Sequence, residues 1–479
     1  MDIGGRTLGA DAREVFEEGL AIPIMKLFRA GRINDDLVAI VRANVREPDA
    51  VIGDLYAQQA GNDVGAAKLR DMMSEYDLDD IESLGAQIMD RSEQAAGDAI
   101  EAIADGIYTD EVAIDGFDEP LTIRIALAVA GRRLRVDYSG SSDQVDRGIN
   151  VVYNYTHAYT TYPLACAIHP HVPNNEGSFR ALTLTAPEGS ILNTQRPCAV
   201  GARHLIGHFL SQAVFGALQQ VIPDRVLADG SAGLWNTQLE GRDRDGRLFA
   251  YIYFSAGGMG ARPNADGLSA TAFPSGIRGV PVEAIESVSP TLMLRRALRP
   301  DSGGPGRFRG GLGQEMVLTV DSEAPTLHSP MYDRTRSPAR GFAGGGDGAL
   351  GEMLLADGTR LHPKRKYLLQ PGQEVTLRLP GGGGHGLAFE RDPRLVLEDV
   401  RQGRVSESSA RDDYGVAIDM AAGIVLEEET ERLRAQPPPE TTPVSQDLPA
   451  DSYTDVLAAH GYRVGLSGKW HLGNSQLVQ

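Results

Sequence analysis

Apolar positions recur at helical spacing through most of residues 12–105. Leu37, Ile40, Val41 and Val45 share one face, as do Leu69, Met72, Met73 and Tyr76. Asp77 and Asp79 stand as N-caps ahead of a further stripe, Ile81, Leu84, Ile88 and Met89. These stripes predict helices that pack together. The period then changes. Leu121, Ile123, Ile125, Leu127 and Val129 alternate strictly, and beyond Gly131 so do Leu134, Val136 and Tyr138, which predicts a β-hairpin with one buried face. Strand-like runs follow at 180–186, 248–254, 315–320 and 374–379. One amphipathic helix interrupts them over 203–221. Ile206, Leu210, Ala213, Val214, Ala217, Leu218 and Val221 share its face, and Pro223 ends it. Segment 394–414 reads as helix again, with Ser406 as N-cap.

The fold class that follows is α+β: a helical N-terminal part packed on a β-rich, glycine-rich body with one prominent amphipathic helix. Four regions are expected. Residues 1–115 form the helical part and 116–425 the body. The acidic, proline-rich stretch 426–450 reads as a disordered linker, and 451–479 regains an apolar pattern but is too short to fold alone. No repeat of solenoid or propeller period is present.

Charge and composition narrow the chemistry. The 479 residues hold 65 acidic and 46 basic side chains, a net charge of −19, which argues against general nucleic-acid binding. Two cysteines exclude a disulfide framework and fit a reducing cytoplasm. No stretch approaches the ~20 apolar residues of a membrane span, and the N-terminus has no secretory signal pattern. A nucleotide site of a common type is not expected. The only Gly-Lys, Gly468-Lys469, is followed by Trp470, and no GxGxxG stands between a strand and a helix. No GxSxG elbow is present, and Cys166 and Cys198 read as buried structural thiols.

Candidate site residues are few. His204 and His208, at i and i+4, would place both rings on one helix face, as a zinc pair requires, but without the Glu of HExxH the role expected is to line or order a polar cleft. His157, His169 and His171 lie upstream. Pro173-Asn174-Asn175-Glu176-Gly177 reads either as a plain turn by composition or as a turn whose three polar side chains point into a site and meet an amide or carboxylate, and the sequence leaves both open. Glycines cluster at 303–313, 344–346 and 381–386. Tight turns and bulges are the expected reason for most, with Arg299, Arg307 and Arg309 available to an anion or a subunit contact.

The order of several stretches resembles the B subunit of the hydantoinase B/oxoprolinase family. They are DYSGSSDQVDRGIN (137–150), HPHVPNNEGSFRALTLTAPEGSILN (169–193) and AVGARHLIGHFLSQAVFGAL (199–218), then GGMGARPNADGLSATAFPS (257–275), LRPDSGGPGRFRGGLGQE (298–315), PGGGGHG (380–386) and EDVRQGRVSESSARDDYGV (398–416). The run 16–46 is similar too, and the likeness covers about residues 1–420. It implies a subunit that works with an ATP-binding A-type partner to open cyclic amides such as hydantoins or 5-oxoproline. The alternatives are a subunit of an ATP-dependent ketone carboxylase, or a non-catalytic fragment that only binds the partner. It also implies a divalent metal. The family's GGTHxxD-like stretch is absent and its HHxDxGG-like stretch survives only as Asp2-Ile3-Gly4-Gly5, so Asp2 is the remnant of an incomplete metal site. The substrate-binding residues expected are Asn174, Asn175, Glu176, Arg203, His204 and His208. Residues 452–475 resemble instead the type I sulfatases, whose GKWHLG Lys and His would be Lys469 and His471. The nucleophile motif of those enzymes is absent, so both residues are expected to be idle and the tail to mark a join.

Overall fold

The computed structural model describes residues 9–45 and 48–435. Asp2, most of the expected linker and the tail with Lys469 and His471 lie outside the described residues. A strap over residues 9–18 comes first. Gly148 N donates to Ala10 O at 3.0 Å and Val15 N to Pro197 O at 2.7 Å, so the strap lies across two later loops. A short hairpin follows, β1 (Phe28–Arg29) and β2 (Arg32–Ile33). Helices α1 (Asp35–Asn44), α2 (Pro48–Glu75) and α3 (Glu82–Glu101) carry the stripes read from sequence. Asp80, not Asp77 or Asp79, caps α3: its Oδ1 accepts from Glu82 N at 2.8 Å. Asp77 instead turns the chain with φ of 52°.

The first sheet has strand order β3 (Gly106–Ile114), β4 (Leu121–Ala130), β5 (Arg133–Asp137) and β6 (Leu182–Thr185). The expected hairpin is β4–β5. β6 runs parallel to β5, and the crossover contains α4 (Tyr153–Ile168) and α5 (Glu176–Phe179). The expected single helix at 203–221 is two pieces, α6 (His204–Gly207) and α7 (Leu210–Leu218). All nine residues of α7 are buried, so it is a core helix and not an amphipathic one. α7 also comes close to β3: a β-carbon on Gly216 would overlap the Asp110 carboxylate. No core boundary falls at residue 115. Ile100 and Ile103 share one buried cluster with Ile123, Leu127, Leu205 and Val214.

Two further four-stranded sheets follow. One has order β13-β11-β7-β8 and the other β12-β14-β10-β9. Their strands are β7 (Trp235–Arg242), β8 (Leu248–Ser255), β9 (Thr291–Leu298), β10 (Gln314–Val320), β11 (Thr326–Met331), β12 (Glu352–Leu355), β13 (Tyr367–Leu369) and β14 (Val375–Arg378); α8 (Val282–Val288) precedes β9. Trp235, Leu239 and Tyr253 of the first join Met316, Leu318 and Leu377 of the second in one buried cluster, a two-sheet sandwich. The chain continues through α9 (Pro393–Arg401), α10 (Glu407–Asp412), β15 (Ile418–Asp419), β16 (Ile424–Val425) and α11 (Glu427–Arg434). Ser406 caps α10 as expected, accepting from Ser409 N at 3.1 Å. The linker cannot start at 426, because α11 is folded there: Arg434 donates to Arg391 O at 2.7 Å and to Tyr414 O at 3.2 Å.

The glycine clusters are not mainly turns. Of their residues only Gly344 and Gly386 have positive φ. The others let backbone segments lie against one another. A β-carbon on Gly381 would overlap Ser302 O, one on Gly258 would overlap Gly311 O, and one on Gly310 would overlap Gly382 O. Amides bridge the segments, Gly304 N to Gly382 O at 2.8 Å and Gly382 N to Gly311 O at 2.9 Å. Arg299 and Arg309 serve this interior. Arg299 donates to Leu350 O at 2.7 Å, and Arg309 is buried against Asp399 at 3.2 Å. Neither is free for an outside anion, and of the three only Arg307 is exposed.

Candidate functional site

The strap borders an open cleft of about 480 Å³ lined by Asp11, Arg13, Glu17, Phe117 and Arg147. Loop 143–150 aims Arg147 at it. Asn150, fully buried, holds that loop by donating to Val145 O at 2.7 Å, Arg147 O at 2.8 Å and Ala199 O at 3.0 Å. The Arg147 guanidinium lies 4.8 Å over the Phe117 ring and pairs with Asp118 at 2.6 Å, while its Nε has no hydrogen-bond partner. Nη1 donates to Asp146 O at 2.8 Å, and a planar cation stacked on an aromatic face suits a carboxylate or phosphate. Lys366 reaches the cleft from the sandwich side, 3.1 Å from Asp11. His362 packs on Phe117, with centroids 5.7 Å apart, and accepts at Nδ1 from Lys364 N at 3.2 Å. Burial, and then the cations Arg365, Lys364 and Arg336, hold its pKa below the usual imidazole range. The cleft therefore offers carboxylates and cations side by side.

The strap also reaches the turn before α6. Glu18 accepts from Gly201 N. Burial raises its pKa, against the Val200 and Gly201 amides and the Arg203 charge, which lower it. Arg203 is exposed and lies 5.4 Å over Tyr155. From there a stack runs inward: Tyr155 and Tyr159 at 4.4 Å, Tyr159 and His208 at 5.3 Å, His208 and His204 at 5.8 Å. Burial pushes the imidazole pKa of His204 down to about 3 and that of His208 down to about 4. His204 Nε2 and His208 Nδ1 are buried without hydrogen-bond partners. The pair is neutral and set in an aromatic wall.

Asn174, Asn175 and Glu176 do not join this wall. Asn175 caps α5 through a reciprocal box with Ser178 and donates to Ser92 Oγ of α3 at 2.8 Å. Glu176 is exposed and pairs with Arg180 at 3.4 Å; Asn174 is exposed. Among the described residues no hydrogen bond, ion pair or ring contact links this trio to Arg203, His204 or His208. The two groups of residues bond to different elements, and Asn175 caps α5, whose amides need partners. Cys166 is exposed and Cys198 half-buried, contrary to the expectation of buried thiols; Cys166 lies on the outer face of α4. Among the described residues no three His, Cys, Asp or Glu side chains converge as metal ligands. They do not by themselves fit a catalytic metal, and no step below is routed through one. Sequence reading passed over Arg147, although it lies inside the stretch 137–150. It also passed over Asp11, Arg13, Glu17 and Phe117, whose nearness depends on the strap.

The hydantoinase B/oxoprolinase family model matches residues 1–388. The chain belongs to the hydantoinase B/oxoprolinase family. This hydantoinase B-family chain is 30% identical to the caprolactamase subunit beta of Pseudomonas jessenii over 87% of its own length and 75% of that protein's. Its fold matches the crystal structure of the ATP-dependent caprolactamase from Pseudomonas jessenii with a TM-score of 0.81 and 28% identity, covering 91% of this chain and 78% of the other. It also matches a nucleotide-free acetone carboxylase with a TM-score of 0.82 over 91% of this chain and 66% of that one. At 19% identity, that likeness is one of fold alone. No helix among the described residues is long and apolar enough to cross a membrane.

Proposed function

We propose that this chain is the B-type subunit of an ATP-dependent cyclic-amide hydrolase, acting with an A-type subunit that holds ATP. The observation that carries this reading is the kinship with caprolactamase, in sequence and in fold, across about nine-tenths of the chain. The chemistry explains the need for two subunits. A lactam carbonyl is a poor electrophile, because nitrogen donates into it. Transfer of the γ-phosphoryl group to the carbonyl oxygen turns that oxygen into a leaving group. Water then adds at carbon, the ring C–N bond breaks with a proton passing to nitrogen, and the acyl phosphate left behind is hydrolysed by a second water, so the products are the open amino acid, ADP and phosphate. The cleft at the strap suits such a path. Arg147, Arg13 and Lys366 are placed for the anionic ends of activated intermediate and product, and Asp11 and Glu17 for the ammonium that ring opening creates. Arg203 borders the same strap through Glu18. The parts expected as 1–115 and 116–425 are one body in this reading, and the work is cytoplasmic, where ATP is available.

Co-expression with the A-type partner and an assay of ATP-dependent ring opening on hydantoin, 5-oxoproline and caprolactam tests it. Ring-opened product and ADP in equal amounts are expected. ATP turnover only with acetone and bicarbonate would assign the carboxylase chemistry instead. Tight binding of the partner with no turnover on any ring would mark a binding subunit without catalysis.

A further inference from the structure

The apolar stripes of α2 and α3 were expected to be core, yet the chain leaves much of them uncovered. Of the 28 residues of α2 only Val51 and Ile52 are buried, and every residue from 61 to 70 is exposed. Leu69, Tyr76, Ile81, Leu84 and Ile88 are exposed by 40, 67, 42, 38 and 46%. The first two belong to one stripe and the last three to the next, and the two stripes meet at the turn 77–80. An apolar stripe at helical spacing is built to pack against a surface, and uncovered patches of this kind mark association sites.

The second half of α3 is anchored. Ala96 and Ile100 are buried, Ser92 is tied to Asn175, and Arg180 holds Asp90 at 3.2 Å and Glu93 at 3.3 Å. The rest, residues 54–89, packs on the chain near its ends through Leu55, Tyr56 and Met89, and holds eight acidic and two basic side chains, a net charge of −6. Close to a third of the chain's charge of −19 thus sits on 36 of its 479 residues. Two copies of this arm would bring like charges together where water is excluded, which disfavours self-pairing.

We propose that the arm of residues 54–89 docks the A-type subunit, in an apolar groove rimmed by basic side chains. The inference rests on the two-subunit reading above. Leu84→Glu with Ile88→Glu alters only exposed positions, so the thermal midpoint of the chain should hold. The Kd for the co-expressed A-type subunit, read by light scattering and titration, should rise at least about tenfold. Glu75→Lys with Asp79→Lys should slow association, and the wild-type association rate should fall as salt is raised. An unchanged Kd in both variants overturns the proposal, as does loss of a homodimer with the mixed complex intact, which would give the arm to a second copy. No complex between wild-type chains overturns both this proposal and the two-subunit reading. A wild-type complex that opens no ring but still needs the arm overturns the activity alone.

Discussion

A buried imidazole with no acid beside it has one inexpensive state, the neutral one, and His204 and His208 are both in it. The consequence for stability has a definite sign. In the unfolded chain both rings take up protons as pH falls through about 6.5; in the folded chain they do so only near 3 and near 4. Stability contributed by the pair is therefore full above pH 6.5 and lost progressively as pH falls toward 4. Urea titrations across that window should show a shallower fall for the double variant His204→Gln, His208→Gln than for wild type. Asn175 and Arg147 separate support from function at the same scale. Asn175→Ala removes the α5 cap and the Ser92 bond, and should cost about 1–2 kcal/mol in chemical denaturation with turnover per folded molecule unchanged. Arg147→Lys keeps a positive charge but loses the planar stack on Phe117. It should lower kcat/KM by roughly tenfold to a hundredfold and move the melting midpoint little.

At the scale of elements, the reason a glycine is present predicts what alanine does there. Gly381→Ala would drive a methyl into the Ser302 carbonyl and should destabilise by more than about 3 kcal/mol, or stop folding. A methyl at Gly53 of α2 would meet nothing within 4 Å, and Gly53→Ala should stabilise by about 0.5–1 kcal/mol through helix propensity alone. Paired denaturation curves check both. The contrast shows what was legible. The clusters announced that glycine mattered, but close packing of backbone on backbone leaves no mark that distinguishes it from turns. α3, the β4–β5 hairpin and the Ser406 cap were readable because one face of each is apolar or one side chain caps locally. α4 was not: YNYTHAYTTYPLACAI has no apolar stripe and holds Pro163, and it is helical because neighbours cover several of its sides. β7 was hidden for a related reason. Trp235-Asn236-Thr237-Gln238 is mostly polar yet buried, with Thr237 bonded to Tyr332 at 2.8 Å, so the sandwich and not alternation makes it a strand.

Over the whole molecule the first core and the sandwich are joined by charge. Arg340 donates to both oxygens of Asp110 on β3, at 2.9 and 2.8 Å, and to Asp229 at 2.7 Å, and Asp229 in turn accepts Gly383 N through its carbonyl at 2.8 Å. Asp115, buried at the end of β3, accepts from the amides of Thr335, Arg336 and Ser337. This second tie holds the turn that carries Phe117 and Asp118, so the cleft is built on the join: Asp11, Phe117 and Arg147 come from one side, His362 and Lys366 from the other. Arg340→Met would leave Asp110 without its cation in a water-poor setting and Asp229 with Arg334 alone, at 3.6 Å, a loss of about 3–5 kcal/mol. Calorimetry should show one transition for wild type and, for Arg340→Met, an earlier transition of the part nearer the break. Ring-opening activity should fall below that expected from the folded fraction alone, because the two walls of the cleft would no longer be held in register. A lower midpoint with activity per folded molecule intact would mean that the Asp115 tie suffices to hold the site.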